Sequence, residues 1–549
     1  MDVILEAIQF NHTPNSATSD AFCIRRNEVE PVIIPEWRRG ISFNPQDSPA
    51  AYARNEIAAN AIHVKAKFRC SDPTVSSISV QAIDGRSRGA NVLADLQSTP
   101  VTLIAGESDF VSLTMNSPSF RQPGIGVSDI VWRWQYSYNL SGWIDFATTT
   151  HRIYVVFALP TLPWQPNAND ISNTQQPWTE VLEFACCWAA SATTLPQAAT
   201  LVTQRVNALG KGVVTYDNHH SGSTGFTLDA PPTFDCTDFL RLLRGQANHH
   251  GSGVNCDDCA TFVASFANIL GCGLSERQMV NDFPLHPHQR IGNSSLTLQS
   301  SFSHHTVAWT GECTEDDQVF DACVQLDSDE CPANDPHPLF VPAGMRFGQV
   351  TEKLYRFRLT SDPSQCNPAG EPFHRRVGFI KFESNDDALP GIRSLLDQPQ
   401  QRTMSTFKSL MSALSAGESF KPWKLLNADI ILDTDSLIFA QSFLRHRDDA
   451  QMALRVDAYA SPSPDDARHK VKKLLSRFQL LDIERLKHAD FGDVVHTVPQ
   501  RFVVLFARRQ FVFQIRNVGK KVVSCEELAR QIDEFIISHS EAHERESAG

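Results

Sequence analysis

The residues most able to do chemistry lie in Gly253-Val-Asn-Cys256-Asp-Asp-Cys259-Ala-Thr-Phe262-Val-Ala-Ser-Phe266-Ala-Asn-Ile-Leu270-Gly271. From Asp257 onward the run is helical. Ala260, Val263, Ala267 and Leu270 share one face, Phe266 flanks it, and Gly271 stands where a helix would end. Cys256 therefore falls at a helix N-terminus. Unpaired N–H groups and the helix dipole favour an anion there, which suits a thiolate and a developing oxyanion. A thiol nucleophile needs a base. Downstream, Phe302 to Trp309 reads as a strand, with His305, Val307 and Trp309 on one side and His304 and Thr306 on the other. A polar turn from Thr310 to Asp317 leads to a second strand, Gln318 to Cys323. Paired as a hairpin, the two strands bring Asp321 to His305, where a carboxylate fixes the imidazole tautomer and favours the imidazolium. Cys256, His305 and Asp321 are thus the candidate nucleophile, base and orienting acid of an acyl transfer.

Other readings of these residues stay open. Cys256 and Cys259 form a C-x-x-C pair, which also suits a redox couple or a zinc site completed by His304 or His305. A domain that keeps the fold as an inactive scaffold or interaction protein is a further alternative. Asp257 reads as a first-turn carboxylate rather than a catalytic group, because an acid beside a thiolate opposes its ionisation. Asp258 is expected to orient the preceding loop or cap a neighbour. The Cys186-Cys187 pair is expected in a core, and His219-His220 and His249-His250 on exposed loops. Asp327, Asp329, Glu330 and Asp335 are expected on a solvated face, since their spacing fits no EF-hand loop.

The pattern resembles the transglutaminase-like superfamily, within the papain-like fold. The family has a helix-starting Cys followed by x-Asp-x-Ala, then a strand-borne His with a nearby Trp, then an Asp shortly after an apolar residue. The matches here are Cys256-Asp257-Asp258-Cys259-Ala260, His305 with Trp309, and Val319-Phe320-Asp321. They cover roughly residues 180 to 345. In the family the Trp stands two residues after the His; here it stands four after His305, which leaves His304 as a competing base. No upstream residue matches the side chain that completes the family's oxyanion hole. The resemblance implies a peptide or protein amide as substrate, and it does not choose between protease, deamidase and cross-linking chemistry.

The elements that must position these groups suggest a multi-domain α+β chain. Residues 1–165 read as a β-sandwich. Ile62, Val64, Ala66, Phe68 and Cys70 alternate with polar residues, as do Trp132, Trp134, Tyr136 and Tyr138, and Ile153 to Leu159 is continuously apolar. The aromatic stripe is taken as sandwich core rather than a sugar or peptide site. Pro160 to Gln176 reads as a linker. Residues 175–390 form the transglutaminase-like domain, with helical faces at Val181, Phe184, Ala185 and Trp188, at Leu195 to Leu209, and at Asp235 to Gly245. Asn218 to Phe226 reads as a loop. Residues 400–549 form a small α+β domain. It has helices at Val471 to Phe478 and Leu528 to Ile536, the latter opened by Ser524 and Glu527 at capping-box spacing. A strand at Leu454 to Ala458 and a hairpin of Phe502–Phe506 with Phe511–Ile515 complete it.

Bulk properties bound the partners. The 549 residues amount to roughly three domains. A net charge of -13 argues against a fold held on nucleic acid by phosphate contacts. No apolar run is long enough to span a membrane. The opening MDVILEAIQFNHTP carries Asp2 and Glu6 and has no secretory pattern. The 13 irregularly spaced cysteines point to reduced thiols in a cytoplasmic setting. No metal or cofactor is expected. Peptide or protein substrates are, with further protein partners on the flanking domains.

Overall fold

The computed structural model describes the chain except for residues 13–19, 29, 42–43, 58–60, 140, 166–174, 220–221, 223, 230–231, 247, 299, 330–337, 379–408, 411–412, 414–419, 433–437, 481 and 547–549. Most of the expected linker, His220, Glu330 and Asp335 lie outside the described residues. The architecture is mixed α+β and rich in strands. Two compact units are resolved, Met1–Arg205 with Phe262–Ser275, and Val206–Thr261 with Glu276–Gly549.

In the first unit, period-two alternation does what it should. Along His63–Cys70, Val64, Ala66, Phe68 and Cys70 point inward while the intervening basic residues stay wetter. This strand pairs with Val3–Gln9 in a four-stranded sheet. A five-stranded sheet is centred on Gly126–Ser137, flanked by Ile144–Val156 and Ser77–Asp84. Side chains from both sheets enter one core. Trp132 and Trp134 are fully buried in it, and the Trp134 indole donates to Thr149 Oγ1 at 2.9 Å. The aromatic stripe is therefore core. The helix Thr179–Trp188 buries Val181, Leu182, Ala185 and Cys186. Cys187, expected in the core beside Cys186, is exposed, because adjacent helical residues point about 100° apart.

The second unit holds a five-stranded sheet ordered Ala343–Arg346, Gln318–Phe320, Ser301–Trp309, Ser275–Pro284, Asn367–Phe373. The hairpin register pairs Ala308 with Phe320 and Trp309 with Val319. Its second strand ends at Phe320, earlier than the expected Cys323, because the Asp321 amide leaves the ladder and donates to the Pro342 carbonyl.

The same unit contains a seven-stranded sheet between Trp423 and Asn517. Along Val503–Arg508, alternate residues serve two cores. Val503, Leu505 and Ala507 pack with Val471 and Leu474 of the helix Pro464–Leu475. Val504 and Phe506 pack with Leu528 and Ile532 of the helix Glu526–Glu546. A strand with both faces covered loses its polar alternation, which is why this run looks continuously apolar. The expected capping box at Ser524 and Glu527 does not form. Ser524 Oγ accepts from the Glu526 amide at 3.3 Å, and Glu527 accepts from Gln531. After Leu475 the chain turns through Ser476 and Arg477 into Phe478, Gln479 and Leu480.

Candidate active site

The helix runs from Cys256 to Asn268, so the cysteine is its first residue. Asn255 caps it reciprocally with Asp258. Asn255 Oδ1 accepts from the Asp258 amide at 3.1 Å, and Asp258 Oδ2 accepts from the Asn255 amide at 3.2 Å. Asp258 also accepts from the Gly225 and Phe226 amides at 2.6 and 2.8 Å and from Thr227 Oγ1 at 3.1 Å. It clamps the loop that precedes the helix, as expected. Burial raises its carboxyl to about 6, against the pull of those backbone donors.

His305 and Asp321 meet across the hairpin. His305 Nε2 lies 2.9 Å from Asp321 Oδ2, and both side chains are fully buried. Asp321 is itself held. Tyr355 donates its hydroxyl to Oδ2 at 2.8 Å, and the Cys323 amide donates to Oδ1 at 2.8 Å. The His305 ring stacks on Phe302 with centroids 5.2 Å apart. With Nε2 engaged by the carboxylate, Nδ1 is the ring nitrogen that faces elsewhere. Its neighbour is Gln479 Nε2, 3.0 Å away.

Gln479 links this imidazole to the cysteine. Its Oε1 accepts from the Cys256 amide at 3.4 Å and from the Tyr216 hydroxyl at 2.7 Å. Tyr216 is held in turn by the Arg290 guanidinium, 4.7 Å above its ring, and Arg290 donates to Asn218 Oδ1 at 2.9 Å. Gly222 lies against both partners. A Cβ there would fall 2.6 Å from the Tyr216 hydroxyl and 3.0 Å from Gln479 Cβ, at a backbone φ of +66°.

The other face of the His305 strand carries a second histidine–carboxylate pair. His304 Nε2 lies 3.3 Å from Asp257 Oδ2, and its Nδ1 lies 3.1 Å from Ser303 Oγ. Asp257 also accepts from Thr306 Oγ1 at 2.7 Å and from Arg375 at 3.4 Å. Burial alone would raise the Asp257 carboxyl. His304, Arg375 and Thr306 outweigh it and hold the group well below the carboxylate range. Arg375 is shared with Glu276, its close ion-pair partner, and donates to Thr261 Oγ1 at 3.0 Å. His304, Asp257, Ser303 and Arg375 line a cavity of about 760 Å³, with Phe478 and Leu480 among its other walls.

The environment of Cys256 corrects one expectation. Burial drives its thiol well above the usual range, Asp257 adds to this, and a hydrogen bond with the Thr306 main chain opposes them. Desolvation thus works against the helix N-terminus in this closed arrangement and disfavours the thiolate. The Cys259 thiol shares a hydrogen bond with the Cys323 thiol. Among the described residues, the ligand atoms grouped with that of Cys256 are those of Asp257 and His304, within 4.8 Å of one another, and Cys259 is not among them. Asp257 meets His304 through Oδ2, while its bonds to Thr306 and Arg375 are made by Oδ1.

The remaining expectations divide. Trp309 packs on Phe347, 4.6 Å between centroids, and belongs to the core. His219 is exposed, as expected. His250 is not: it is buried with Nε2 2.9 Å from Asp235 Oδ2, and His249 pairs with Asp238 at 2.9 Å. Asp327 is also buried rather than solvated, its Oδ1 accepting from the Asp329 amide. Among the described residues no helix is long and apolar enough to cross a membrane.

Sequence reasoning missed Asn255, Tyr216, Gln479, Tyr355 and Arg375. Only Asn255 had a local signal, the Asn-x-x-Asp spacing of a reciprocal cap.

No family model matches this sequence. No curated protein matches it. Among solved structures, red sea bream transglutaminase aligns over 86% of this chain and 76% of that one, with 10% identity and a TM-score of 0.32. A likeness that shallow carries no argument about fold or activity, which leaves the geometry to support a function.

Proposed function

We propose that this chain is a papain-like, transglutaminase-type cysteine enzyme that transfers an acyl group from a peptide or protein amide. One observation carries the reading. His305 engages Asp321 through Nε2 and directs Nδ1 to a carboxamide whose oxygen rests on the Cys256 amide. That is the order of contacts an acyl donor needs: a donor at its oxygen, an imidazole at its leaving amine, a thiol at the helix start beside it.

In the proposed reaction Cys256 Sγ attacks the carbonyl carbon and its proton passes to His305 Nδ1. The carbonyl oxygen gains charge against the Cys256 N–H and the Tyr216 O–H. Asp321 holds His305 in the tautomer that can take the proton and steadies the imidazolium. His305 then returns the proton to the leaving amine as the C–N bond breaks, and a thioester remains on Cys256. Water releases an acid; an amine gives a new amide. Tyr216 fills the role of the side-chain oxyanion donor that the sequence left unassigned. The two-sheet N-terminal region and the C-terminal sheet present protein substrate or partners, in the cytoplasm.

The test is capture of the acyl intermediate. After incubation of the Gln479→Ala chain, whose acyl-donor position is vacated, with p-nitrophenyl acetate, peptide mapping should place the acetyl group on Cys256, and adding His305→Ala should slow its appearance. Acetylation spread evenly over the thiols, or indifferent to His305, would sink the proposal.

A second reading has one observation behind it: the proximity of Cys256, Asp257 and His304 ligand atoms. It requires stoichiometric zinc in the purified protein, lost in His304→Ala.

A further inference from the structure

We propose that Gln479 is a built-in occupant of the acyl-donor position, through which the folded chain holds its own site shut. The inference rests on the reading of Cys256 as nucleophile and goes beyond it by assigning a regulatory device to the C-terminal region.

Burying a glutamine requires partners for its carboxamide. Gln479 is 0% exposed, and its carboxamide meets the groups assigned to the reaction: Tyr216 and the Cys256 amide at the oxygen, His305 Nδ1 at the nitrogen. The orientation matters more than the burial. A glutamine turned end for end would set its amine against two donors. As placed, it imitates an amide awaiting attack.

The chain around it is built to insert that one side chain. Phe478 and Leu480 line the 760 Å³ cavity, and Gln479 between them points away from it, toward Cys256. Phe478 belongs to the core that includes Val471, Leu474 and Leu505, and its amide donates to the Leu475 carbonyl at 3.2 Å, so the hold on the segment centres on that ring and a few hydrogen bonds. The Gln479 amide donates to the Gly222 carbonyl at 3.4 Å, the Ser303 amide donates to the Gln479 carbonyl at 2.9 Å, and Ser303 Oγ donates to the Phe478 carbonyl at 2.8 Å. On the cavity side, Ser303, His304 and Asp257 are reached, while Cys256 is 0% exposed. Withdrawal of residues 478–480 removes the occupant and joins the cavity to the sulfur. No covalent bond forms or breaks in this step.

The test is the alkylation rate of Cys256 by iodoacetamide in the full-length chain, followed by peptide mapping. Gln479→Ala should label faster on the order of tenfold or more, the factor that corresponds to one or two net hydrogen bonds. Ser303→Ala, which loosens the segment without touching the carboxamide, should label about twofold or more faster by the same arithmetic. Thermal melts identify which variants are folded. If folded Gln479→Ala and Ser303→Ala both label at the wild-type rate, the proposal falls. It also falls if the intact wild-type chain is lighter by the mass of one ammonia, since Gln479 would then be a consumed substrate. Adding His305→Ala to Gln479→Ala separates the two claims. Fast labelling that ignores His305 keeps the occupant and discards the base. Wild-type labelling slowed by His305→Ala but untouched by Gln479→Ala does the reverse.

Discussion

Two adjacent histidines on one strand, His304 and His305, each face a buried aspartate, and the two pairs are built differently. On the His305 side the carboxylate is fed by neutral donors, Tyr355 O–H and the Cys323 amide, in a fully buried pocket. On the His304 side it is fed by Thr306 and by the Arg375 cation, at the wall of a cavity. The difference teaches what a histidine–carboxylate pair can be for. A carboxylate without a resident cation is free to steady an imidazolium that forms in passing. One already matched by Arg375 has less electrostatic work left to offer its histidine and reads as a structural clamp.

Substitutions can break that comparison, and they are best made on a Gln479→Ala background, where the site is open. The largest loss is expected for His305→Ala, about 10⁴-fold in acetyl-enzyme formation, if it is the base. Asp321→Asn, which disturbs the tautomer, should approach that loss, read in the same assay. Tyr216→Phe removes one oxyanion donor and should cost about 10²-fold, mostly in kcat. His304→Ala should cost about tenfold or less, mainly by loosening Asp257. A His304→Ala loss that matches or exceeds that of His305→Ala would reverse the assignment.

A stability measurement, rather than a rate, tests the helix start beside these pairs through pH. Between its ordinary value of 3.8 and about 6, folded Asp258 keeps a proton that the unfolded chain has released. Its contribution to stability is therefore full below 3.8, falls as pH rises to about 6, and is flat beyond, a loss of about 3 kcal/mol. Urea unfolding of Asp258→Asn at pH 4 and pH 7 should show a smaller pH difference than wild type. An unchanged pH difference would mean that the clamp carries no such proton.

How much of this was legible follows from contact range. Cys256 at a helix start and Asp321 beside His305 rest on local pattern, a helical face and one hairpin register, and the sequence carries both. Asp258 as a loop clamp follows from its position in the first turn. Gln479 is 223 residues from the amide it meets and 263 from Tyr216, so no periodicity announces it. Arg375 sits 118 residues from Asp257. The effect of burial on the thiol is hidden from the sequence for a related reason. Helix placement is visible in sequence, whereas complete desolvation depends on every segment that closes over the sulfur. The sheet edge Trp423–Leu432 was missed too, its antiparallel partner Ile438–His446 lacking the clean alternation that marks a half-buried strand.

Gly222 gives the closed site a narrow tolerance. One methyl group at this position would intrude on the tyrosine hydroxyl and the glutamine side chain together, in a backbone conformation that L side chains rarely adopt. The hydroxyl and the carboxamide it serves thus share a common floor, and whatever lifts that floor disturbs both in a single stroke.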